Sequence, residues 1–251
     1  MKTITVGRPP NATATGPDPS WRDLYRAGGI AALVATLVYV VAVIVEFSGP
    51  AAPTSGGAAT LDYIAAHRSV YILQQVLWLA PSVLLTVVFL ALYPALKHLN
   101  KSYAAIGAVL GIVSWAVTLA YPATGGGAPA LVYLSDHYAA TTDPAQRAAF
   151  ATAAEGFIAQ NAVPTVMGVL EAAGVLIVSL VMLKGVVFRR GTVYLGIAAG
   201  AVGIVCEALK PVVGLGYIVY GLLLFVWLIA IGWELYGLAR AGERGGRAAA
   251  I

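Results

Sequence analysis

Six apolar runs set the pattern of the chain, at about 28–48, 70–93, 103–121, 164–188, 192–210 and 213–238, with polar or Gly- and Pro-rich connections between them. Each approaches the ~20 residues that a helix needs to cross the hydrocarbon core of a bilayer. The pattern therefore predicts an all-α protein, a polytopic membrane helix bundle of six transmembrane helices filling residues 21–240. Residues 1–20 are rich in Pro, Thr, Gly and Asn and read as a disordered tail. Residues 241–251 read as a basic tail.

Local signals refine these spans. Trp21, Arg22, Tyr25 and Arg26 form an aromatic and cationic anchor ahead of the first span. A short helix is expected near 60–69, carrying Asp62, His67 and Arg68. In the second span Pro81 predicts a kink, because proline removes one backbone donor and clashes with the preceding turn. Residues 94–102, with Lys97, His98 and Lys101, read as a tight basic loop. Residues 122–163 form the one long connection, placed on the outer side, with a flexible Gly125-Gly126-Gly127 run. Within it Asp143-Pro144 starts a helix, Asp143 as N-cap, Pro144 at the first position and Gln146 as capping partner. Phe150, Ala154, Phe157 and Ile158 recur at helical spacing, predicting an amphipathic helix on the membrane surface or over the bundle, read as a lid or cap.

Composition agrees with the pattern. Apolar residues make up 60% of the 251-residue chain, charged residues only 10%, and the mean hydropathy is +0.84. Globular chains carry about 25% charged residues. The formal net charge of +4 is spread among apolar spans and is not grouped on a groove-binding element, so nucleic acid is not an expected partner. The basic residues report orientation instead. Of the 15 Lys and Arg residues, all but Arg68, Arg147 and Lys210 fall on the side that holds both termini, which places the N and C termini in the cytoplasm. The single cysteine, Cys206, excludes an internal disulfide and reads as a small packed hydrophobe.

With that topology, the ionisable and amide residues inside the spans gather toward the outer half: Glu46, Gln74, Gln75, Glu171, Glu207 and Lys210. Glu207 and Lys210 stand three residues apart, so a continuous helix would let them pair, with Pro211 closing that helix. Glu171, about 10 Å along its helix at 1.5 Å per residue, has no partner in its own span. Ionisable residues at membrane depth are costly and mark functional sites. These six residues are the candidate site for a small molecule or ion, bound or transported. The plainer reading keeps Glu207 and Lys210 as an interfacial pair, Glu46 in water, and Gln74, Gln75 and Glu171 as interhelical hydrogen bonds. Glu234 stands apart, near the cytoplasmic end of the last span.

No catalytic constellation is recognisable, so an enzyme is disfavoured, and no cofactor is implied. His67, His137, Asp62 and Asp136 lack the spacing of a metal site. Ser114, in Gly111-Ile112-Val113-Ser114-Trp115, lacks the second glycine of a nucleophile elbow and reads as a core serine bonded to its own helix. Besides the lipid bilayer, the expected partner is a second copy of the chain, through the small-residue faces Gly107/Gly111 or Gly196/Gly200. Such contacts also support the alternative function, a structural or regulatory membrane protein without a ligand site.

Four strings, Leu24-Tyr25-Arg26-Ala27-Gly28-Gly29, Leu61-Asp62-Tyr63-Ile64, Val181-Met182-Leu183-Lys184-Gly185 and Tyr194-Leu195-Gly196-Ile197, resemble a bacterial six-helix membrane family described as domain of unknown function 4386. The resemblance spans about residues 24–240. It implies a six-helix architecture and the bacterial plasma membrane, and it carries no site residues with it.

Overall fold

The computed structural model of the chain describes residues 16–53, 55–120 and 129–248, with 161–162 and 242–248 described by backbone alone. Among these residues the secondary structure is helical throughout. A single turn of tighter helix, Pro19–Trp21, leads into α1 (Arg22–Ser48). Then come α2 (Gly57–Ala66), α3 (Arg68–Leu79), α4 (Pro81–Leu96), α5 (Lys101–Ala120), α6 (Ala130–Ala140) and α7 (Pro144–Ala162). The chain continues through α8 (Val166–Met182), α9 (Arg190–Ala208), the short α10 (Lys210–Val213) and α11 (Gly216–Ala248). Among the described residues five stretches are long and apolar enough to cross a membrane: Pro19–Ser48, Arg68–Leu96, Lys101–Ala120, Arg190–Ala208 and Gly216–Ala241. α8 is apolar but has only 17 residues.

The long helices close into a ring. α1 packs on α4, α4 on α5, α5 on α8, α8 on α9, α9 on α11, and α11 back on α1. Each long helix therefore lies beside its neighbours in sequence, the usual arrangement of consecutive elements. The shared core holds Phe89, Leu92 and Leu96 of α4, Val175, Val178 and Met182 of α8, and Trp227, Leu228 and Ile231 of α11, all buried. Trp227 is therefore a core residue.

Small residues set the closest approaches. A Cβ on Gly29 of α1 would meet the backbone of Gly232 and Tyr236 in α11. The glycine faces that suggested self-association are occupied within the chain. Gly107 lies against Ile177 and Val178, Gly111 against Phe89, Gly196 against Ser179 and Trp227, and Gly200 against Ala172 and Leu176.

Several boundaries differ from the sequence reading. Residues 1–15 and the glycine run at 125–127 lie outside the described residues. Residues 16–20, expected in the tail, are ordered by Asp18, which accepts from the Ser20 backbone N–H at 3.0 Å and approaches Lys97 at 3.4 Å. The Ser20 hydroxyl and N–H hold the Asp18 carboxyl below its ordinary pKa. At Pro81 the second span divides into α3 and α4, although Ala80 keeps helical torsions, so the break is a missing hydrogen bond rather than a loop. Pro94, assigned to a loop, lies inside α4, whose last turn is held by the buried Ala95 and Leu96. α8 stops at Met182, beyond which the Lys184 and Gly185 N–H groups bond to Val181 O and Met182 O in tighter three-residue turns. α11 runs on to Ala248, into the stretch read as a tail.

The helix expected near 60–69 is α2, and it belongs to a satellite of α2, α6 and α7 with its own core of Leu61, Ile64, Tyr71, Leu131, Tyr138 and Ala154. Asp143 caps α7 as expected, accepting from Ala145 N at 3.0 Å. Gln146 meets Thr141 at 3.0 Å and not the N-cap, because the Thr141 hydroxyl already takes the Asp143 N–H. The apolar face of α7 packs on α2 and α6 instead of lying on the bundle. Polar contacts complete the satellite. Glu155 accepts from Gly57 N at 2.6 Å, at the N-terminus of α2, where a carboxylate is favoured. Arg68 grips Asp136 at 2.8 and 3.2 Å, and the Ser135 hydroxyl donates to Leu61 O at 2.7 Å.

Candidate functional site

At the end of the ring where α1 finishes and α11 begins lies a cavity of about 610 Å³. Pockets for drug-sized ligands span roughly 300–1,000 Å³. Five of the six ring helices contribute, together with α3: α1 through Tyr39 and Glu46, α3 through Trp78, α5 through Trp115 and Thr118, α8 through Gly168 and Glu171, α9 through Glu207, and α11 through Tyr217, Tyr220 and Phe225. Lys210 of α10 completes the lining's charged groups. Among the described residues, none of the satellite helices α2, α6 and α7 contributes to its lining.

Glu207 is 4% exposed, yet its expected partner is elsewhere. α9 ends at Ala208 and Lys210-Pro211 opens α10, so the two residues do not share a helix face and, among the described residues, no ion pair joins them. Pro211 begins a helix rather than closing one, since proline suits a first turn. The Glu207 carboxylate is instead satisfied by the Tyr217 hydroxyl, which donates to Oε1 at 2.6 Å, and by the Thr165 hydroxyl 3.5 Å from Oε2. Thr165 is also the N-cap of α8, accepting from Gly168 N at 3.3 Å. The carboxylate thus lies at the positive end of a 17-residue helix, which favours an anion. Gly168 makes the fit: any Cβ there would collide with the Glu207 carboxyl group.

Glu171 follows Gly168 by one turn of α8 and so faces the same cavity. Among the described residues it accepts no hydrogen bond and joins no ion pair, and its Oε1 is shut off from solvent. Two donors bordering the cavity are also without partners, the hydroxyl of Tyr220 (4% exposed) and the indole N–H of Trp115 (7% exposed). Glu46 accepts from Trp78 Nε1 at 3.0 Å. Lys210 Nζ stands 5.7 Å from the Tyr217 ring centroid. Gln74 and Gln75 are buried but do not line the cavity.

Sequence reasoning thus named the four charged residues that meet here and missed the aromatic walls. The available signal was spacing: Tyr39, Val43 and Glu46 recur on one face of α1, and Tyr217, Tyr220 and Leu224 on one face of α11. Tyr39 stacks on Phe225 with centroids 5.5 Å apart. Ser114 also differs from expectation. Its hydroxyl donates across to Met167 O at 2.7 Å and ties α5 to α8. Cys206 packs as expected, buried beneath Gly216 O at 3.5 Å. Glu234 lies away from the cavity and caps α9, accepting from Thr192 Oγ1 at 2.7 Å and Arg189 N at 3.2 Å.

Chemically, three carboxylates and one ammonium give the cavity an acidic balance within aromatic walls. Among the described residues no group of three acidic, His or Cys side chains converges as a metal site. Compared with family models, curated proteins and solved structures, the chain matches none.

Proposed function

We propose that the chain is an integral membrane protein of six spans, with both termini on the cytoplasmic side, that binds a small organic cation in the cavity around Glu171. The observation that carries this reading is the partnerless Glu171 carboxylate in an aromatic-walled cavity. A charge at membrane depth costs about 2.5–3.5 kcal/mol on insertion scales unless something neutralises it. Glu207 has its compensation in Tyr217 and the α8 N-terminus, so Glu171 is left to an incoming cation or proton. Aromatic rings add cation–π attraction, ~2 kcal/mol or more for a desolvated ammonium.

Several features support the six-span arrangement. α8 is short, but it closes the ring between α5 and α9, where a helix outside the membrane would not fit. An even number of spans puts the termini together, on the side rich in Lys and Arg. The strings that resemble the domain of unknown function 4386 family fit the same plan and a bacterial plasma membrane.

The test is thermal unfolding of the purified protein with protonated amines, from methylammonium to long-chain alkylammonium ions. At least one should raise the melting temperature of the wild type and leave that of Glu171→Gln unmoved, since a ligand confined to the folded state stabilises it. If no amine does so, the cation-binding reading fails and the purely structural or regulatory alternative takes its place.

A further inference from the structure

The rim of the cavity differs from its interior. Phe47 at the end of α1 is 82% exposed, and Ile218 and Leu222 near the start of α11 are 56% and 59% exposed, yet all three also line the cavity. These apolar side chains connect the carboxylate-bearing interior with the exposed outer surface of α1 and α11, which the six-span reading turns to lipid. Gly221 lies between the two α11 residues and lines the cavity too, and a Cβ on it would meet nothing within 4 Å. The mouth is therefore open where it faces the bilayer. It also sits within ~10 Å of the helix ends at 1.5 Å per residue, the depth of headgroups and upper acyl chain.

We infer that the cavity takes an amphiphilic ammonium ion directly from the bilayer, with its charged head near Glu171 and its apolar chain leaving between α1 and α11. The inference rests on the cation-binding reading above and adds both the ligand class and the route. Charge selects the head: Glu46, Glu171 and Glu207 outnumber Lys210. The indole of Trp115 and the rings of Tyr39 and Tyr220 supply π faces for a cation. The Tyr220 hydroxyl, without a partner, can accept an ammonium N–H. Shape selects the tail, since a compact soluble cation would leave the apolar mouth uncovered.

Thermal unfolding in maltoside micelles with three probes, decylammonium, methylammonium and decyl sulfate, tests the inference on wild type, Glu171→Gln and Gly221→Phe. Decylammonium at about 100 times its Kd should raise the wild-type melting temperature by at least ~5 °C. Methylammonium and decyl sulfate at the same concentration should not. Glu171→Gln should lose the response. Gly221→Phe, whose side chain enters open space, should melt like wild type when unliganded and lose at least tenfold in decylammonium affinity. An equal response to methylammonium overturns the amphiphile and leaves the cation site standing. An equal response to decyl sulfate shows that only the tail is read and overturns the ammonium specificity. Undiminished decylammonium binding by Gly221→Phe overturns the route, and no response to any amine overturns the cation site together with this inference.

Discussion

At Glu207 a carboxylate is buried between the Tyr217 hydroxyl and the first turn of α8, while the nearest lysine in sequence points its ammonium over a ring. Charge and helical spacing suggested a Glu207–Lys210 pair, and the pair fails because the backbone turns between them at Leu209. Satisfying a buried carboxylate with hydroxyl donors and a helix terminus leaves Lys210 available to the cavity. The arrangement depends on Gly168, so Gly168→Ala should force the Glu207 side chain away from its donors. The expected cost is ~1–3 kcal/mol from overpacking or from the lost hydrogen bond. Detergent melts should show Gly168→Ala destabilised by several degrees and Tyr217→Phe by a similar amount. If the two effects add fully in the double variant, the residues act independently and the shared carboxylate is not the cause.

At the scale of the elements, hydrophobic periodicity was a sound guide to where helices lie and a poor one to where they end. The six runs correspond to α1, α3 with α4, α5, α8, α9 and α11. The ends were illegible because they are set by contacts distant in sequence. Glu234 on α11 caps α9 across 45 residues, and Ser114 on α5 binds the first turn of α8 across 53. The same holds for the site. Glu171 was legible because an unpaired carboxylate in an apolar run has no local explanation, whereas Trp115 and Tyr220 become walls only once the ring closes. Glycine spacing showed close packing without showing the partner. The α8–α9 seam makes this testable: a side chain on Gly200 would run into Leu176 N and Ala172 O, which are backbone and cannot yield. Gly200→Leu should therefore abolish a monodisperse peak in detergent gel filtration. Gly237→Leu, on an open surface of α11, should leave it intact. Equal behaviour of the two variants would sink this account of the seam.

For the molecule as a whole, closure of the ring gives the cavity a definite end, and orientation decides which leaflet can reach it. Lys97, Lys101, Lys184, Arg189 and Arg190 belong to the connections at the end opposite the cavity. At the cavity end the satellite's two arginines are engaged: Arg68 with Asp136 at 2.8 Å and Arg147 with Asp62 at 3.8 Å. Orientation follows from Lys and Arg counted alone, and the end opposite the cavity carries the excess. The proposed orientation thus opens the cavity toward the outer leaflet. The chain's one cysteine, Cys206, is buried, so a cysteine placed at a connection reports its side with little background. A membrane-impermeant maleimide added to intact cells should label Ser55→Cys, between α1 and α2, and should label Lys101→Cys, at the start of α5, only after permeabilisation. The reverse pattern would place the cavity on the cytoplasmic leaflet. It would also move the source of any amphiphilic ligand to that leaflet while leaving the geometry of the site unchanged.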